Sequence, residues 1–396
     1  QTSDDFRFVR AWWEVAEAQC GSRWFPFAKG GSYSPFYADV FLMMNWRDDG
    51  AEAKAWAGSL YNESHWSRIL KNTHLYFRPG LTWPLRTNGL SFRVMPAGCV
   101  FGHKGPAAFI QDNENDALLA LCAVINSTAF GYFVSVQLAR TELAQSYEVG
   151  LIQQTPLPRL VADTIEKLSS LARRAWSLKR TLDTTNETSH AFVLPPGLHE
   201  KLTGLSRVVV EHELAELQHQ IDDEAYKLYG IGPDDRVAIE AMSKGSSEEA
   251  SEGAADDESD GSDSTTAEDC SWEAAPVFSW LVGVAFGRFD PRLATDLVDA
   301  YRVADGPPYP LVRGRRPIPP EPEPFDALPK RSPGMWPEGE APVVVPPDIM
   351  VDDEGHDDDL HTHVADAAAH TGIPAPEDLR QWLAREFFPL HIKMYS

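Results

Sequence analysis

Cysteine is scarce in this chain: four in 396 residues, at Cys20, Cys99, Cys122 and Cys270. They stand far apart, and no two form a CxxC pair. That spacing argues against a disulfide framework or a zinc ribbon and fits a reducing, cytoplasmic compartment. Long apolar runs are missing too. The best, LLALCAVINSTAFGYFVSVQLA, is broken by Asn126, Ser127 and Gly131, so no membrane span is expected. No stretch has the layout of a secretory signal. Short catalytic signatures are also lacking: there is no GxSxG elbow, no P-loop and no GxGxxG. No internal repeat is visible.

Apolar residues are plentiful at 43%, enough for two or three domains and more than one core. Aromatics make up 11%, with 12 tryptophans, many of them before residue 90. The net charge of -24 looks hostile to nucleic acid. It is unevenly spread, however: residues 1–181 carry roughly +3, and much of the acid lies between Glu248 and Glu273. Whole-chain charge is therefore a poor guide to what the first half binds. The chain opens at Gln1 and stops in FFPLHIKMYS with apolar residues still arriving. A segment of a longer polypeptide is the expectation.

Hydrophobic periodicity predicts the elements. DFRFVRAWWEVAEAQ reads as a helix with Phe6, Val9, Trp13 and Ala16 on one face, capped by Asp4 or Asp5. WFPFAKGGSYSPFY reads as a loop and YADVFLMMNW as a strand. GLTWPLRTNGLSFRVMPAGCVFG reads as strand, turn, strand, turning at Thr87–Gly89. DNENDALLALCAVINSTAFGYFVSVQLA reads as one long helix. YEVGLIQQTPLPRL reads as a strand stopped by Pro156 and Pro158. ADTIEKLSSLARRAWSLKRTLD is an amphipathic helix with Ile165, Leu168, Leu171, Ala172, Ala175 and Leu178 on one side. LSRVVVEHELAELQHQIDDEAYKLYGI continues in the same style, and the two are expected to pair antiparallel. Residues 243–275 read as an acidic, Ser/Gly-rich disordered linker. PVFSWLVGVAFGRFDPRLATD then gives a helix of about four turns ending near Pro291. Residues 303–348 are proline-rich and extended, and a last helix starts near Glu377 or Asp378.

Three constellations carry possible chemistry. His356, His361, His363 and His370 stand among acids, which is metal-ligand chemistry, but their spacing matches no closed zinc site and a solvated loop is the plainer account. His212 and His219 flank a helix face, where an exposed histidine is ordinary. Lys29-Gly30-Gly31 offers backbone N–H groups to a phosphate, or is a plain turn. Cations and aromatics also interleave through the first half, as in Arg23 with Trp24, Trp46 with Arg47 and Trp66 with Arg68. Such residues position a protein on phosphates and stack on unpaired bases, or form an aromatic core with snorkelling arginines.

Taken in order, DDFRFVRAWWEV, KGGSYSPFY, GLTWPLRTNGLSFRVMPAGCVF, LLALCAVINSTAF and YEVGLIQQTPLP resemble the C-terminal half of large adenine-specific DNA methyltransferases. The nearest are the PglX-type methylases of BREX phage-defence systems and their type IIG restriction–modification relatives. DDEAYKLYGI, WLVGVAFGRFDPR and LRQWLAREFFPLHIKMYS look like the tail of the same proteins. In that family an N-terminal half binds S-adenosylmethionine and carries an NPPY-like tetrapeptide that grips a flipped adenine. This chain has neither; the nearest strings, LPPG at Leu194 and VPPD at Val345, lack the asparagine. The family's opening TGDN-like block is TSDD here, which departs from it at the Gly and the Asn.

The resemblance therefore implies a target-recognition role for this chain, with the cofactor S-adenosylmethionine held by the intact parent. No catalytic, cofactor or metal residue is assigned. The fold class expected is α+β and multidomain. A mixed α/β target-recognition domain spans 1–160, a helical region 161–242, the acidic linker 243–275 and a helical, proline-rich segment 276–396. Expected partners are double-stranded DNA, the catalytic domain and other defence-system subunits. Lys29, Gly30 and Gly31 are the candidate phosphate contacts, and Arg78, Arg86 and Arg93 the candidate base-reading surface. Arg7 and Arg10 would face the catalytic domain or the DNA, with Trp12 and Trp13 wedged between domains. The alternatives are a protein-interaction module docking defence-system subunits and a metal-dependent hydrolase built on the histidine cluster.

Overall fold

A computed structural model describes residues 4–60, 65–138, 146–252, 275–294, 316, 318–340, 342, 348–373, 375 and 378–395, with backbone alone for 243–252. The fold is mixed α and β. It divides into two compact units: Gln1–Arg180 with Val210–Asp263 and Glu321–Lys330, and Thr181–Val209 with Ser264–Pro320 and Arg331–Ser396.

The first unit opens on a four-residue helix, Asp5–Phe8, whose N-cap Asp4 accepts from the Arg7 backbone N–H. The predicted long helix stops there. Val9–Ala11 becomes strand β1, and Trp12–Glu14 and Glu17–Gln19 are single 3-10 turns. The reason is tertiary: β1 finds backbone partners on Leu42–Asn45 (β3), in antiparallel register Val9 to Met44. Ladder bonds and burial outweigh a helical side-chain period. Trp12 is buried, and Trp13 stacks on Phe41 with ring centroids 6.2 Å apart, so within this unit both tryptophans have partners.

Trp24–Ala28, expected as loop, is strand β2. It pairs antiparallel with β3 and then parallel with Val100–Phe101 (β6), giving the sheet order β1-β3-β2-β6. Pro26 is tolerated because β6 pairs only at Phe27 and Ala28, so no ladder bond is asked of the proline nitrogen on that side. A second sheet, β5-β4-β7, joins Gly80–Thr82 (β4), Arg93–Met95 (β5) and Ala107–Ala108 (β7). β4 and β5 pair antiparallel as expected, but their connection is the whole of 83–92 rather than a tight Thr87–Gly89 turn. Trp83 stacks on Phe92 at 4.5 Å and both are buried, so the loop belongs to the core.

The expected single helix over 115–138 is two, Asn115–Ile125 (α3) and Thr128–Leu138 (α4), bent by 58° at Asn126–Ser127. Asn126 causes the break and uses it. Its side-chain oxygen accepts from the Phe92 backbone N–H at 2.8 Å, and its amide nitrogen donates to the Phe92 carbonyl at 2.7 Å. No single described helix is long and apolar enough to cross a membrane, although this bent pair passes that test by length and composition. α3 is largely buried, and α4 buries Ala129, Phe130 and Val134. YEVGLIQQ, expected as a strand, is the short helix Val149–Gln154, since so short an apolar run does not separate the two periods.

Ala162–Asp183 (α6) and Arg207–Tyr229 (α8) form as predicted. The ion pairs Lys167–Glu224 and Arg174–Glu213 tie them in antiparallel sense. Helix Pro233–Glu252 runs ten residues into the stretch expected as linker; residues 253–274 lie outside the described residues.

In the second unit, helix Ala275–Ala285 is shorter than the predicted four turns, and a 3-10 turn follows at Pro291–Ala294. Trp280, Phe289, Phe192, Val364 and Leu379 are the heart of its core. Most of the expected extended stretch 303–348 lies outside the described residues. The last helix starts at Leu379, with Asp378 at its N-cap, and continues through a π-turn, Leu383–Phe387, into Phe388–Tyr395.

Candidate nucleic-acid interface

Strands β2 and β6 are parallel neighbours, so the chain leaves both at the same end, after Ala28 and after Phe101. Each strand runs on into a glycine loop: Lys29-Gly30-Gly31 after β2 and Gly102-His103-Lys104-Gly105 after β6. The Gly102 N–H donates to the Ala28 carbonyl at 3.2 Å, and the Gly105 N–H to the Gly102 carbonyl at 3.2 Å. The two loops touch backbone to backbone. A Cβ on Gly105 would lie 2.5 Å from the Gly30 nitrogen, and one on Gly30, which has φ +103°, would lie 2.6 Å from the Lys104 carbonyl oxygen. Only glycine permits that approach and that φ. The Leu85 N–H donates to the Lys104 carbonyl at 3.0 Å and so brings Arg86 alongside.

His103, Lys104 and Arg86 are exposed on this edge, and Lys29 adds its ammonium, 2.6 Å from Asp5. His103 and Lys104 were missed in the sequence. GHKG is short, and its meaning depends on a parallel strand pair that brings it beside KGG.

Arg93 sits beneath the first loop, on β5. It is buried rather than on an exposed face. Its Nη1 donates to the Ser32 carbonyl at 3.1 Å and its Nη2 to the Gly30 carbonyl at 2.5 Å. Burial pushes its pKa down to about 10. A cavity of about 210 Å³ opens between the loop and the sheet, lined by Phe27, Asp39, Val40, Phe41, Thr82 and Arg93 among others.

The other sequence candidates lie apart from this edge in their bonding. Arg78 is half-buried, donates to Asn113 and to the Ile110 carbonyl, and covers the Phe109 ring at 5.4 Å. These contacts brace the 110–113 segment. Arg7 is exposed but paired with Glu52 at 2.8 Å. Arg10 donates to the carbonyls of Phe6 and Val9 and lies over Trp24. Lys29, Gly30, Gly31, Arg86 and Arg93 are brought together; Arg7, Arg10 and Arg78 are bound into local structure.

Covalent chemistry finds little support. Burial pushes the Cys122 thiol up to about 12 and raises Cys99 further, which leaves both as inert thiols. Among the described residues no group of three or more His, Cys, Asp and Glu could hold a metal. The histidine stretch is mostly helix, Leu360–Thr371, not a loop. Ser279 in the second unit meets both Glu187, at 2.7 Å, and His391 Nε2, at 2.8 Å. It is fully buried, and the carboxylate holds the serine rather than the histidine, so the group is a brace for the last helix. LPPG opens the helix Pro196–Thr203 with Leu194 fully buried, and VPPD at Val345 falls outside the described residues but for Asp348. Neither string supplies the asparagine that a methyl-transfer site needs.

No protein-family model matches the chain. Curated relatives place it beside adenine-specific methyltransferases. One is the adenine-specific methyltransferase BrxX of Escherichia coli O9:H4 (strain HS), 32% identical over 136 residues, or 33% of this chain and 10% of BrxX. Another is the adenine-specific methyltransferase PglX of Lacticaseibacillus casei (strain Zhang), 27% identical over 202 residues, or 44% of this chain and 15% of PglX. The resemblance to PglX-type methylases drawn from the residues is borne out by both. The matched stretch spans only a small part of either relative's length.

Proposed function

We propose that this chain is the DNA target-recognition portion of a site-specific, S-adenosylmethionine-dependent adenine-N6 DNA methyltransferase in a phage-defence or restriction–modification system. Methyl transfer belongs to another part of the parent protein, and this part holds the duplex and selects the site. One observation carries the proposal. Two glycine loops meet at one sheet end and present Lys29, Arg86, His103 and Lys104 on a single edge, in the part of the chain spared the acidic excess. Cations on closely packed backbone suit a phosphate chain, to which half or more of protein–DNA hydrogen bonds go. The similarity to BrxX and PglX supports the same function.

Filter binding of the full chain to duplex DNA over a range of salt tests the idea. Affinity should fall steeply and linearly on a log–log plot as salt rises. No binding at low salt, or binding indifferent to salt, would sink it.

A further inference from the structure

We infer that Tyr33 is a stacking platform for a nucleotide base displaced from the double helix, a reading that rests on the DNA-recognition proposal. Three observations carry it.

The first is how the ring is held. The chain after Gly31 is tied to the 89–93 stretch. The Ser34 N–H donates to the Ser91 hydroxyl at 3.2 Å, and the Phe36 N–H donates to the Phe92 carbonyl at 2.8 Å. Tyr33 thereby comes to lean on Gly89. A Cβ on Gly89 would lie 3.0 Å from Cε2 and 3.2 Å from Cδ2 of the Tyr33 ring. That is tighter than a side chain ordinarily accepts, so the ring is propped against bare glycine backbone. The Thr87 hydroxyl donates to the Gly89 carbonyl at 2.5 Å and steadies that backbone.

The second is what the ring lacks. Tyr33 is 56% exposed. Among the described residues it has no aromatic neighbour, and its hydroxyl has no hydrogen bond. Phe41 and Phe77 are exposed too, but they already pack on the rings of Trp13 and Phe25. A propped tyrosine with open ring surface offers a flat contact at little cost in side-chain freedom.

The third is its setting. Tyr33 closes the run that begins at Lys29-Gly30-Gly31, and it leans on the turn that carries Arg86. The Leu85 N–H joins that turn to Lys104. The ring therefore stands among the cations of the candidate edge. Cations take the phosphates of a nucleic acid, and the flat group attached to that phosphate chain is the base. Every base has a π face, and aromatic side chains stack on it whatever its identity. Inside a duplex both faces of a base are covered by its neighbours. A ring on the protein surface can stack only on a base that has left the helix. Chemistry on a base requires such a departure, and it leaves two bases unpaired.

Fluorescence-anisotropy titration of the full chain tests this, with a fully paired duplex compared with the same duplex carrying one mismatch. A mismatch lowers the cost of extruding a base. The native chain should bind the mismatched duplex about tenfold more tightly, within the range that stacking of one base supplies. Tyr33→Ala should abolish that preference with an unchanged circular-dichroism spectrum. Tyr33→Phe should keep it, because the ring and not the hydroxyl makes the contact. No preference in the native chain, a preference that survives Tyr33→Ala, or a loss as complete in Tyr33→Phe as in Tyr33→Ala would each overturn the inference. Any of these alongside salt-dependent binding of the paired duplex ends the role of Tyr33 alone. No binding of either duplex ends the DNA-recognition proposal and this inference with it.

Discussion

Asp359 has almost no solvent access, yet it is charged. Arg380 reaches it with two hydrogen bonds, Nη1 to Oδ1 at 3.1 Å and Nη2 to Oδ2 at 2.7 Å, and Thr362 adds its backbone N–H and hydroxyl. The Arg380 bonds, foremost, hold the Asp359 carboxyl at about 2. A folded-state value below the unfolded one means stability that is present above roughly pH 4 and lost as the pH falls from there toward 2. Arg380→Met should remove that part of the acid transition and lower stability at neutral pH, because the carboxylate loses its partner. Far-ultraviolet circular dichroism against pH and against urea checks both. None of this was legible in DLHTHVA or EDLRQW, since Asp359 and Arg380 are far apart in sequence and only packing joins them. Arg93 teaches the same at the candidate site. Its residue type was legible as a cation for recognition, but its burial was not. Arg93 is one of a strand's three residues, and the sheet it joins decides which way it faces.

The two long amphipathic helices matched their sequence, while several short elements that depend on neighbours did not. Helices α6 and α8 run for 22 and 23 residues, long enough for an amphipathic stripe to declare itself. The short strands and 3-10 turns of residues 9–28 have no such length, and backbone partners from β3 chose their form. The break between α3 and α4 shows how a neighbour can also complete an element. Asp222, on α8, accepts from the Thr128 N–H at 2.7 Å and from its hydroxyl at 2.9 Å, and so caps α4 from another helix. Burial raises the Asp222 carboxyl despite these donors. Asp222→Ala should lower stability by about 1 kcal/mol, the usual worth of an N-cap, read as a shift in urea midpoint without a change in slope. Asn126 would be read in sequence as a helix breaker only with Phe92 in view, and Phe92 lies 34 residues upstream.

Over the whole molecule, charge and similarity point the same way once they are divided by region. The chain totals -24, but residues 1–181 are slightly positive, by roughly +3. A nucleic-acid face is compatible with an acidic protein when the acid sits elsewhere. If Arg86 and Lys104 each neutralise one phosphate, replacing both with serine should reduce the log–log salt slope of duplex binding by roughly 2, with little dependence on DNA sequence. Filter binding at four or five salt concentrations measures it, and an unchanged slope would remove these two residues from the interface.

The sequence by itself determined the class of relatives, the two long helices, the absence of an NPPY tetrapeptide and the cation-rich first half. These are properties of local pattern and composition, which need no partner to be read. Only the tertiary structure decided where the cations sit. A parallel pairing between β2 and β6 set KGG beside GHKG, turned Arg93 inward beneath the first loop, and left Asp39 on the wall of the same cavity. Residues far apart in the chain become a site only when hydrogen-bonded strands fix the end at which both loops emerge.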